Sequence, residues 1–372
     1  MIRFAGLLIS SLLQILPGSP AAGDCGVIKS GRPSIRIEIP LARPIAPAPD
    51  TLSIAIIGDV MMHSRQLGHD HRIFLREIAP ALKKADFAVA NMEFPLAGPP
   101  YTGYPAFSTP DWYAEYIASC GIDVFLTANN HVLDKGDDGF ARTLKVYERM
   151  AAENGILYTG SGPSEDRYDE LNPLILEGKG LKIALVNFSY GSNMGSFRPW
   201  PRMSRMKKEE IRRQLDAARG RGADFVVVLP HWGVEYELIH SASQEEWARW
   251  LVAGGADAVV GSHPHVVQDT THISGVPVIY SIGNAVSNMS LQNTRLELAV
   301  TLRFVRESAL RTRMLEPRLR WMWCTLPGKL TGSYATIFVD EWEGRRSEWL
   351  DPSDYDNMME TLRRVSAKTG IR

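Results

Sequence analysis

Six side chains of metal-binding type follow five short apolar runs of this chain. They are Asp59, Glu93, Asn130, His231, His263 and His265. Carboxylate, amide and imidazole groups together are the ligands of divalent cations such as zinc, manganese and iron. The set is large enough for one or two ions, and two ions about 4 Å apart need a bridging carboxylate. The sequence therefore predicts a metal site with one or two divalent ions, whose identity it leaves open.

Each of these residues, taken singly, also has an ordinary structural explanation. A single His after a strand is more often hydrogen-bonded than metal-bound, Asp59 could cap a turn, and Asn130 could lie in one. The repetition at five strand ends is what favours ligands. His263 and His265 form the strongest local element, but alternate residues of an extended backbone point to opposite sides. We therefore predict a bend at Pro264 that brings both rings to one side.

His131 directly follows Asn130, and this pair suggests a division of roles. One of the two would bind metal, while the other would face the substrate as a general acid or an electrostatic stabiliser. We assign the catalytic role to His131. His63, four residues after Asp59, is a candidate ligand or neighbour of the ligands, although a polar residue of a first helical turn fits the spacing equally well.

The segment after His231 contains further candidates for the site. Trp232 could line the site and contact substrate, although packing is the commoner role of a tryptophan. Glu235 is a candidate metal ligand or a partner of a ligand, and Tyr236 is a candidate substrate contact.

The apolar runs are typical of strands that are buried on both faces. They cover residues 53–57, 87–90, 124–128, 225–229 and 258–260. Amphipathic patterns between them predict helices from Pro110 to Gly121, at 139–154, at 205–219, and after a capping box of Ser243 and Glu246. Alternating strands and helices predict an α/β fold with a mainly parallel sheet, and the polar residues should meet at the carboxyl ends of its strands.

Composition excludes several classes of protein. The chain has 372 residues, of which 45% are hydrophobic and 22% charged, which rules out a disordered chain, a fibre and a polytopic membrane protein. The 41 basic residues nearly balance the 42 acidic ones, so we expect no nucleic-acid partner. Three cysteines cannot form a disulfide framework, and Cys120 is expected to be a buried apolar residue.

Residues 1–23 are typical of a secretory signal peptide. Arg3 precedes an apolar run, and Pro17-Gly18 and small residues follow it. Residues 24–50 are rich in proline and predict an extended linker. We therefore expect an exported protein, periplasmic or at the cell surface, with an uncleaved N-terminal anchor as the alternative.

Two segments are rich in basic side chains. Residues 198–213 contain seven Lys and Arg against two Glu, and six arginines lie between 303 and 320. A solvated surface is the simpler interpretation, and docking of a polyanion is the alternative. Residues 306–372, with a strand-like run at 335–339 and a helix from about Ser353, are expected to form an appended region that packs on the core or docks a partner.

Six stretches of the chain together resemble the CapA family of capsule and poly-γ-glutamate synthesis proteins. They are residues 58–62, 91–96, 128–134, 231–236, 261–268 and 280–284. The domain of that family is similar to the calcineurin-like metallophosphoesterases. The resemblance implies a four-layer α/β/β/α sandwich over residues 51–305 with a dinuclear metal site, and a role in making, exporting or anchoring an anionic polymer at the cell surface. It also makes Asn284 a candidate substrate contact.

The chain departs from the phosphoesterase pattern at two places. Met61 stands where an Asp-x-His motif would have His, and the second strand ends in Asn91-Met92-Glu93 instead of Gly-Asp. Glu93 would then have to be the bridging carboxylate. Metal binding is favoured, whereas hydrolysis of a phosphoester is not, because the same metals could activate water against an amide.

These observations lead to three hypotheses about function. The first is an exported metal-dependent hydrolase or transferase that acts on an anionic cell-surface polymer, with His131 protonating the leaving group. The second is a non-catalytic polymer-binding subunit of a capsule export complex, with membrane-bound synthesis or export subunits as partners. The third is a periplasmic metal-dependent phosphodiesterase.

Overall fold

Runs of β-branched and other apolar residues form the strands, and their side chains are largely buried. Strand β9 is an example, since all seven residues of Phe225–His231 are buried. Val and Ile suit a pleated backbone because their branched side chains pack well on both of its faces. The strands are β1 Thr51–Val60, β2 Phe87–Met92, β3 Val124–Leu126, β4 Leu157–Thr159, β5 Ser161–Gly162, β6 Leu174–Gly178, β7 Leu181–Ser189, β8 Arg202–Met203, β9 Phe225–His231, β10 Ala258–Val260, β11 Thr270–Ile273, β12 Val276–Ile279, β13 Asn284–Val286, β14 Leu296–Ser308, β15 Arg311–Thr325 and β16 Ala335–Phe338.

The computed structural model describes residues 51–308 and 311–372, which belong to one compact unit. The predicted signal peptide at 1–23 and the predicted linker at 24–50 lie outside the described residues. None of the helices in the described part of the chain is long and apolar enough to cross a membrane.

Amphipathic segments form the helices that cover the sheets. They are α1 Ala79–Leu82, α2 Asp111–Ser119, α3 Gly136–Asn154, α4 Glu165–Leu171, α5 Lys208–Gly220, α6 Ala242–Ala253, α7 Val339–Trp342 and α8 Pro352–Thr369. Helix α3 ends where Gly155 takes a left-handed conformation with φ 72°, as a C-terminal glycine commonly does.

The capping box of α6 differs from the expected one. The Ser241 side chain accepts a hydrogen bond from the Gln244 backbone, and the Gln244 side chain accepts one from the Ser241 backbone. The expected box of Ser243 and Glu246 is therefore wrong by two residues. Ser241 takes this position because its backbone is still extended there, with φ −83° and ψ 158°, so its side chain can reach the first turn.

The described strands form two large sheets and a small pair. The order in the eight-stranded sheet is β16-β15-β14-β1-β2-β3-β4, with β13 beside β1, and the order in the six-stranded sheet is β11-β12-β10-β9-β7-β6. Strands β1 to β4 are parallel to one another, as are β7, β9, β10 and β12. The parallel strands are thus divided between two sheets, where the alternation of strands and helices had suggested one and the family resemblance had implied two.

Three hydrophobic clusters connect these elements. One combines residues of both large sheets, such as Ile56 of β1 and Val227 of β9. A second joins the eight-stranded sheet to α2 and α3, and a third joins the six-stranded sheet to α5 and α6. Successive residues of β9, Val226 and Val227, belong to different clusters because side chains alternate along a strand. The predicted mixed α/β class is confirmed, while the precise layer order implied by the family resemblance stays a prediction.

The C-terminal residues continue the eight-stranded sheet. The expected boundary between residues 305 and 306 falls inside β14, which pairs with β1 on one side and with β15 on the other. The strand-like run at 335–339 is β16, and the helix expected near Ser353 is α8. Directly before β14, buried Arg295 makes two hydrogen bonds of 2.7 and 2.6 Å to the buried carboxylate of Asp354 in α8. This ion pair holds α8 against the sheet.

We expect Asp354→Asn to lower the free energy of unfolding by about 3 kcal/mol or more, because it leaves the Arg295 charge buried without its partner. Urea unfolding followed by circular dichroism measures the change. Asp356→Asn is the matched control on the same helix, since the ion pair of Asp356 with Arg346 is half exposed and should contribute little. Equal stability of the two variants would show that α8 is not held by the buried pair.

Candidate metal centre

A close approach of two strands positions Asp59 at the carboxyl end of β1. A Cβ atom added to Gly58 would lie 1.9 Å from the carbonyl oxygen of Gly283, so only glycine allows this contact. The backbone N–H of Asp59 donates to the same carbonyl at 3.1 Å. Its fully buried carboxylate accepts hydrogen bonds from Asn91 Nδ2 at 2.7 Å and from the backbone N–H of His263 at 3.2 Å. Neighbouring elements therefore fix the carboxylate in place.

Glu93, just after β2, is a buried carboxylate without hydrogen-bond partners. Its side chain is fully buried, and neither oxygen has a partner within the described part of the chain. The nearest basic atoms are the Nε2 atoms of His231 and His265, which lie 3.6 and 3.9 Å from Oε1. Burial, and then the neighbouring charge of Asp59, raise the pKa of Glu93 well above its usual value. An ionised carboxylate in this place requires a cation close to it.

His263 and His265 lie in the loop after β10, where the backbone turns sharply. Both residues take positive φ angles, 97° and 57°, which are uncommon for residues other than glycine and cost of the order of 1–3 kcal/mol each. As a result both rings lie on the same side, with centroids 5.9 Å apart. The predicted bend at this motif is present, and the left-handed backbone on both sides of Pro264 produces it.

The two rings are held differently. Nδ1 of His265 lies 2.9 Å from Asn284 Oδ1 and 3.5 Å from Asp59 Oδ2, and Asn284 thereby sets the orientation of the ring. Burial is the largest single influence and by itself would lower the pKa of His265. The Asp59 carboxylate and Asn284 together outweigh it, so the pKa is raised overall. Nδ1 of His263 is buried and has no hydrogen-bond partner among the described residues.

His231, the last residue of β9, faces both sheets. Its Nε2 lies 2.8 Å from Asn130 Oδ1, and its Nδ1 lies 3.2 Å from Asn91 Nδ2 and 3.0 Å from Ser262 Oγ. Burial, followed by the nearby His263, lowers the pKa of His231 well below its usual value and favours the neutral ring. Since both nitrogens are hydrogen-bonded, His231 would have to release one partner in order to bind a metal.

Residues of both large sheets thus converge at one place. Glu93, His263 and His265 each offer a ligand atom, and these atoms lie within 4.8 Å of one another. Burial tends to raise the pKa of Asp59, but His265 and His231 outweigh it and the pKa is lowered overall, so Asp59 is ionised. The buried atoms of Glu93 and His263 without partners are donor atoms that fit a divalent cation.

His131 lies beside this group and forms a pair with Asp134. Its Nδ1 lies 2.7 Å from Asp134 Oδ2, and both side chains are buried. Asp134 also accepts a hydrogen bond from the backbone N–H of Phe107 at 2.8 Å, and the rings of Phe107 and His131 pack nearly perpendicular to each other. Within the described residues, His131 Nε2 makes no hydrogen bond. Sequence analysis assigned no role to Asp134, although its spacing of three residues from His131 within one turn was a signal.

His63 lies near the centre but outside the group of ligand atoms. Its Nδ1 accepts the backbone N–H of Asn288 at 3.2 Å and lies 3.1 Å from Gln66 Oε1. Burial lowers the pKa of His63 to about 4, so the ring is neutral. Its ring packs on Phe107, with centroids 5.3 Å apart, on the same residue that contacts His131. The structure therefore places His63 as a neighbour of the site.

Two expected substrate contacts have other roles. Trp232 is fully buried, and its indole N–H donates to the carbonyl of Tyr280 at 2.9 Å, so it packs in the core beneath α6. Asn284 is also fully buried, with Nδ2 donating to the carbonyl of Thr294 at 2.8 Å and Oδ1 facing His265. The expectation that these two side chains contact substrate is corrected, because neither is accessible.

The accessible side of the centre is aromatic. Tyr236 is 46% exposed, with its ring centroid 6.3 Å from that of His265, and Glu235 beside it is exposed. Tyr190 is 45% exposed and lies on His263, with centroids 4.6 Å apart. Sequence analysis missed Tyr190 because it did not count β7 among the strands, although the buried run from Leu181 to Ser189 ends directly before it.

The comparison with known proteins identifies relatives of this chain. The family model of the bacterial capsule synthesis protein PGA_cap matches residues 53–289. The capsule biosynthesis protein CapA of Bacillus anthracis is 28% identical over 263 residues, which cover 66% of this chain and 62% of that protein. The PGA biosynthesis protein CapA of Bacillus subtilis strain 168 is 26% identical over 264 residues, which cover 66% of each. The chain thus spans less than two thirds of the length of either relative.

Among solved structures, the calcineurin-like phosphoesterase YfkN of Bacillus subtilis aligns with a TM-score of 0.46 and 13% identity, over 87% of this chain and 98% of that one. A putative 5'-nucleotidase of Staphylococcus aureus aligns with a TM-score of 0.47 and 11% identity, over 73% and 54%. These values are too low to carry an activity from those proteins to this chain. The family model, in contrast, matches more than half of the chain. The chain therefore belongs to the family of bacterial capsule synthesis proteins, PGA_cap.

Proposed function

We propose that this protein is a metal-dependent hydrolase or transferase that acts on an anionic polymer of the cell envelope. The observation that carries the proposal is the Glu93 carboxylate, which is fully buried beside imidazoles and has no hydrogen-bond partner among the described residues. A buried carboxyl without hydrogen-bond partners costs free energy of folding, and a bound cation would offset this cost. Perturbed, buried titratable groups in a cluster are typical of functional sites.

The proposed ligands divide into two sets. Glu93, His263 and His265 would hold one ion, since their ligand atoms lie within 4.8 Å of one another. Asp59, Asn130 and His231 would hold a second ion, once the hydrogen bond between Asn130 and His231 is released. When bound, a divalent cation of this kind acts as a Lewis acid and activates water for attack. Manganese, zinc and iron all suit this mixture of oxygen and nitrogen donors.

His131 is the proposed general acid. The Asp134 carboxylate, 2.7 Å from Nδ1, holds the proton on that nitrogen and fixes the orientation of the ring. The other nitrogen, Nε2, is then available to deliver a proton to a leaving group or to stabilise developing charge. Positioned acid–base groups of this kind contribute about 10²–10⁴-fold to rate.

The first polymer to test is poly-γ-glutamate. The name of the Bacillus subtilis relative contains PGA, and the family model carries the same abbreviation. The bond attacked would be the amide between glutamate units, with water or an amine as the acceptor. The predicted signal peptide at 1–23 supports action outside the cytoplasm, in the periplasm or at the cell surface, where membrane-bound synthesis and export subunits are the expected partners.

We expect the protein purified without chelator to contain one or two equivalents of a transition metal, measured by elemental mass spectrometry. His263→Ala/His265→Ala should lose most of the metal, because it removes two of the three clustered ligands. His272→Ala is the control, since this histidine is half exposed and lies in β11. Metal-free protein that stays empty after incubation with manganese, zinc and iron would refute the metal centre.

We expect His131→Ala to lower turnover of poly-γ-glutamate by about 10²–10⁴-fold while metal content stays the same. Release of new amino ends, measured with an amine-reactive dye, gives the rate. Asp134→Asn should lower turnover as well, because it replaces the carboxylate that lies against Nδ1 and orients the His131 ring. Unchanged turnover in both variants would contradict the role of this pair.

A second candidate function is a non-catalytic polymer-binding subunit of an export complex. The departure from the phosphoesterase pattern favours it, since Met61, where that pattern has His, is buried and offers no ligand. In this case the polymer should bind with similar affinity before and after removal of metal by a chelator, without turnover. A chromogenic phosphodiester, tested with the same metals, separates both candidates from a phosphodiesterase.

A further inference from the structure

A surface cavity lined by basic side chains includes Leu133, two residues after His131, in its wall. Its volume is about 400 Å³, and it lies between the first turn of α5, the 196–207 segment and the start of α3. We call it the basic cavity. Its basic side chains are Arg198, Arg202, Arg205, Lys207 and Arg213, and its acidic ones are Glu209 and Glu210. Five positive against two negative charges make it a place for an anion.

Three of these cations have no acidic partner. Arg198 pairs with Asp138 at 2.6 Å, and Arg202 lies 3.5 Å from Glu210. Arg205, Lys207 and Arg213 are exposed and form no ion pair within the described part of the chain. Their charges are therefore free to bind a ligand.

The other arginine-rich segment behaves differently. Arg306 pairs with Asp224 at 3.3 Å, Arg311 with Glu307 at 2.9 Å, and Arg320 with Asp340 at 2.8 Å. Most of the positive charge between residues 303 and 320 is thus neutralised by neighbouring carboxylates. The hypothesis that a polyanion docks is therefore not supported at residues 303–320, whereas the unpaired charges of the basic cavity still favour it.

Contacts within the protein position the Arg202 side chain. Its guanidinium lies 4.5 Å from the centre of the Tyr168 ring and 5.2 Å from that of Trp200. Glu210, whose side chain is mostly buried, accepts a hydrogen bond from the Tyr168 hydroxyl and one from the backbone N–H of Arg205 at 3.3 Å. A cation held in this way loses little conformational freedom on binding.

One segment connects the basic cavity to the metal centre. It begins at Tyr190, which lies on His263, and the backbone N–H of Asn193 donates to the carbonyl of Asn130 at 2.8 Å. Further along, Arg205 is bridged to Ser189, the residue that precedes Tyr190. Leu133, two residues after His131, lines the cavity itself. The same two segments, 130–133 and 189–207, thus contribute to both the metal centre and the basic cavity.

We propose that the basic cavity binds carboxylates of the polymer segment that adjoins the bond held at the metal centre. Arginine binds carboxylates through two parallel hydrogen bonds, and a polymer with one carboxylate in every unit can meet several cations at once. This inference rests on the proposed function in that it takes the substrate to be an anionic polymer. It adds the surface that would select a polyanion over a neutral chain.

The test compares two double variants of the full chain, which both remove two positive charges near the start of α5. Arg205→Gln/Arg213→Gln removes cavity charges, whereas Lys208→Gln/Arg212→Gln removes charges that lie against Trp250 on α6. Fluorescence anisotropy with a fluorescein-labelled γ-linked glutamate oligomer measures the Kd. We expect the first variant to raise the Kd by about tenfold and the second to change it little. Added salt should weaken wild-type binding more than binding by the first variant.

Melting temperature and metal content show whether each variant is folded, and Lys207→Gln is a milder second change in the same cavity. Equal loss of binding in the two double variants would overturn the inference, because net charge alone would then explain it. A wild-type protein that binds no oligomer would overturn it as well. Hydrolysis is measured separately. Selective loss of binding in the first variant, without any turnover by the wild type, would support polymer binding by the basic cavity and contradict the proposed enzymatic activity. Turnover by the wild type with unaltered binding in the first variant would support the activity and contradict the role of the basic cavity.

Discussion

Buried charge is the interaction on which the site of this protein depends. Two carboxylates, Asp59 and Glu93, are completely removed from water at neighbouring strand ends. Asp59 is compensated by Asn91, by the backbone N–H of His263 and by the ring of His265. Glu93 has no such partners among the described residues. The difference between the two carboxylates divides the centre into a part that the protein satisfies by itself and a part that calls for a cation.

Apolar packing between the two large sheets offsets the free-energy cost of burying these polar groups. The cluster between them includes buried residues of β1, β2, β7, β9 and β10, whose carboxyl ends carry or lead into the site. Burial of each Val, Ile or Leu side chain contributes about 1.5–3 kcal/mol. This core offsets the strained backbone of His263 and His265 and the desolvation of the carboxylates. The contact of Gly58 with Gly283 brings β1 and β13 together, so Asp59 and Asn284 can reach His265 from the same side.

The accessible surroundings of the centre come from loops, which is where specificity is commonly located. The exposed rings of Tyr190 and Tyr236 form its accessible edge, and the segment after Tyr190 contributes to the wall of the basic cavity. The C-terminal residues have a structural role instead. Strands β14 and β15 extend the eight-stranded sheet, and the ion pair of Arg295 with Asp354 holds α8 against it. Most arginines between residues 303 and 320 form ion pairs. The two basic stretches, 198–213 and 303–320, therefore differ in the positive charge that their surfaces leave unpaired.

The sequence by itself determined the α/β class, five of the parallel strands (β1, β2, β3, β9 and β10) and the polar residues at their ends, because burial on both faces and ligand type are properties of short stretches. It also indicated the bend between His263 and His265, since an extended backbone could not bring both rings together. Only the tertiary structure decided which strands lie in which of the two sheets, that Trp232 and Asn284 are inaccessible, and that Asp134 lies against His131 and Tyr190 against His263. Most of these depend on contacts between residues far apart in the chain, as does the choice of which arginines find acidic partners.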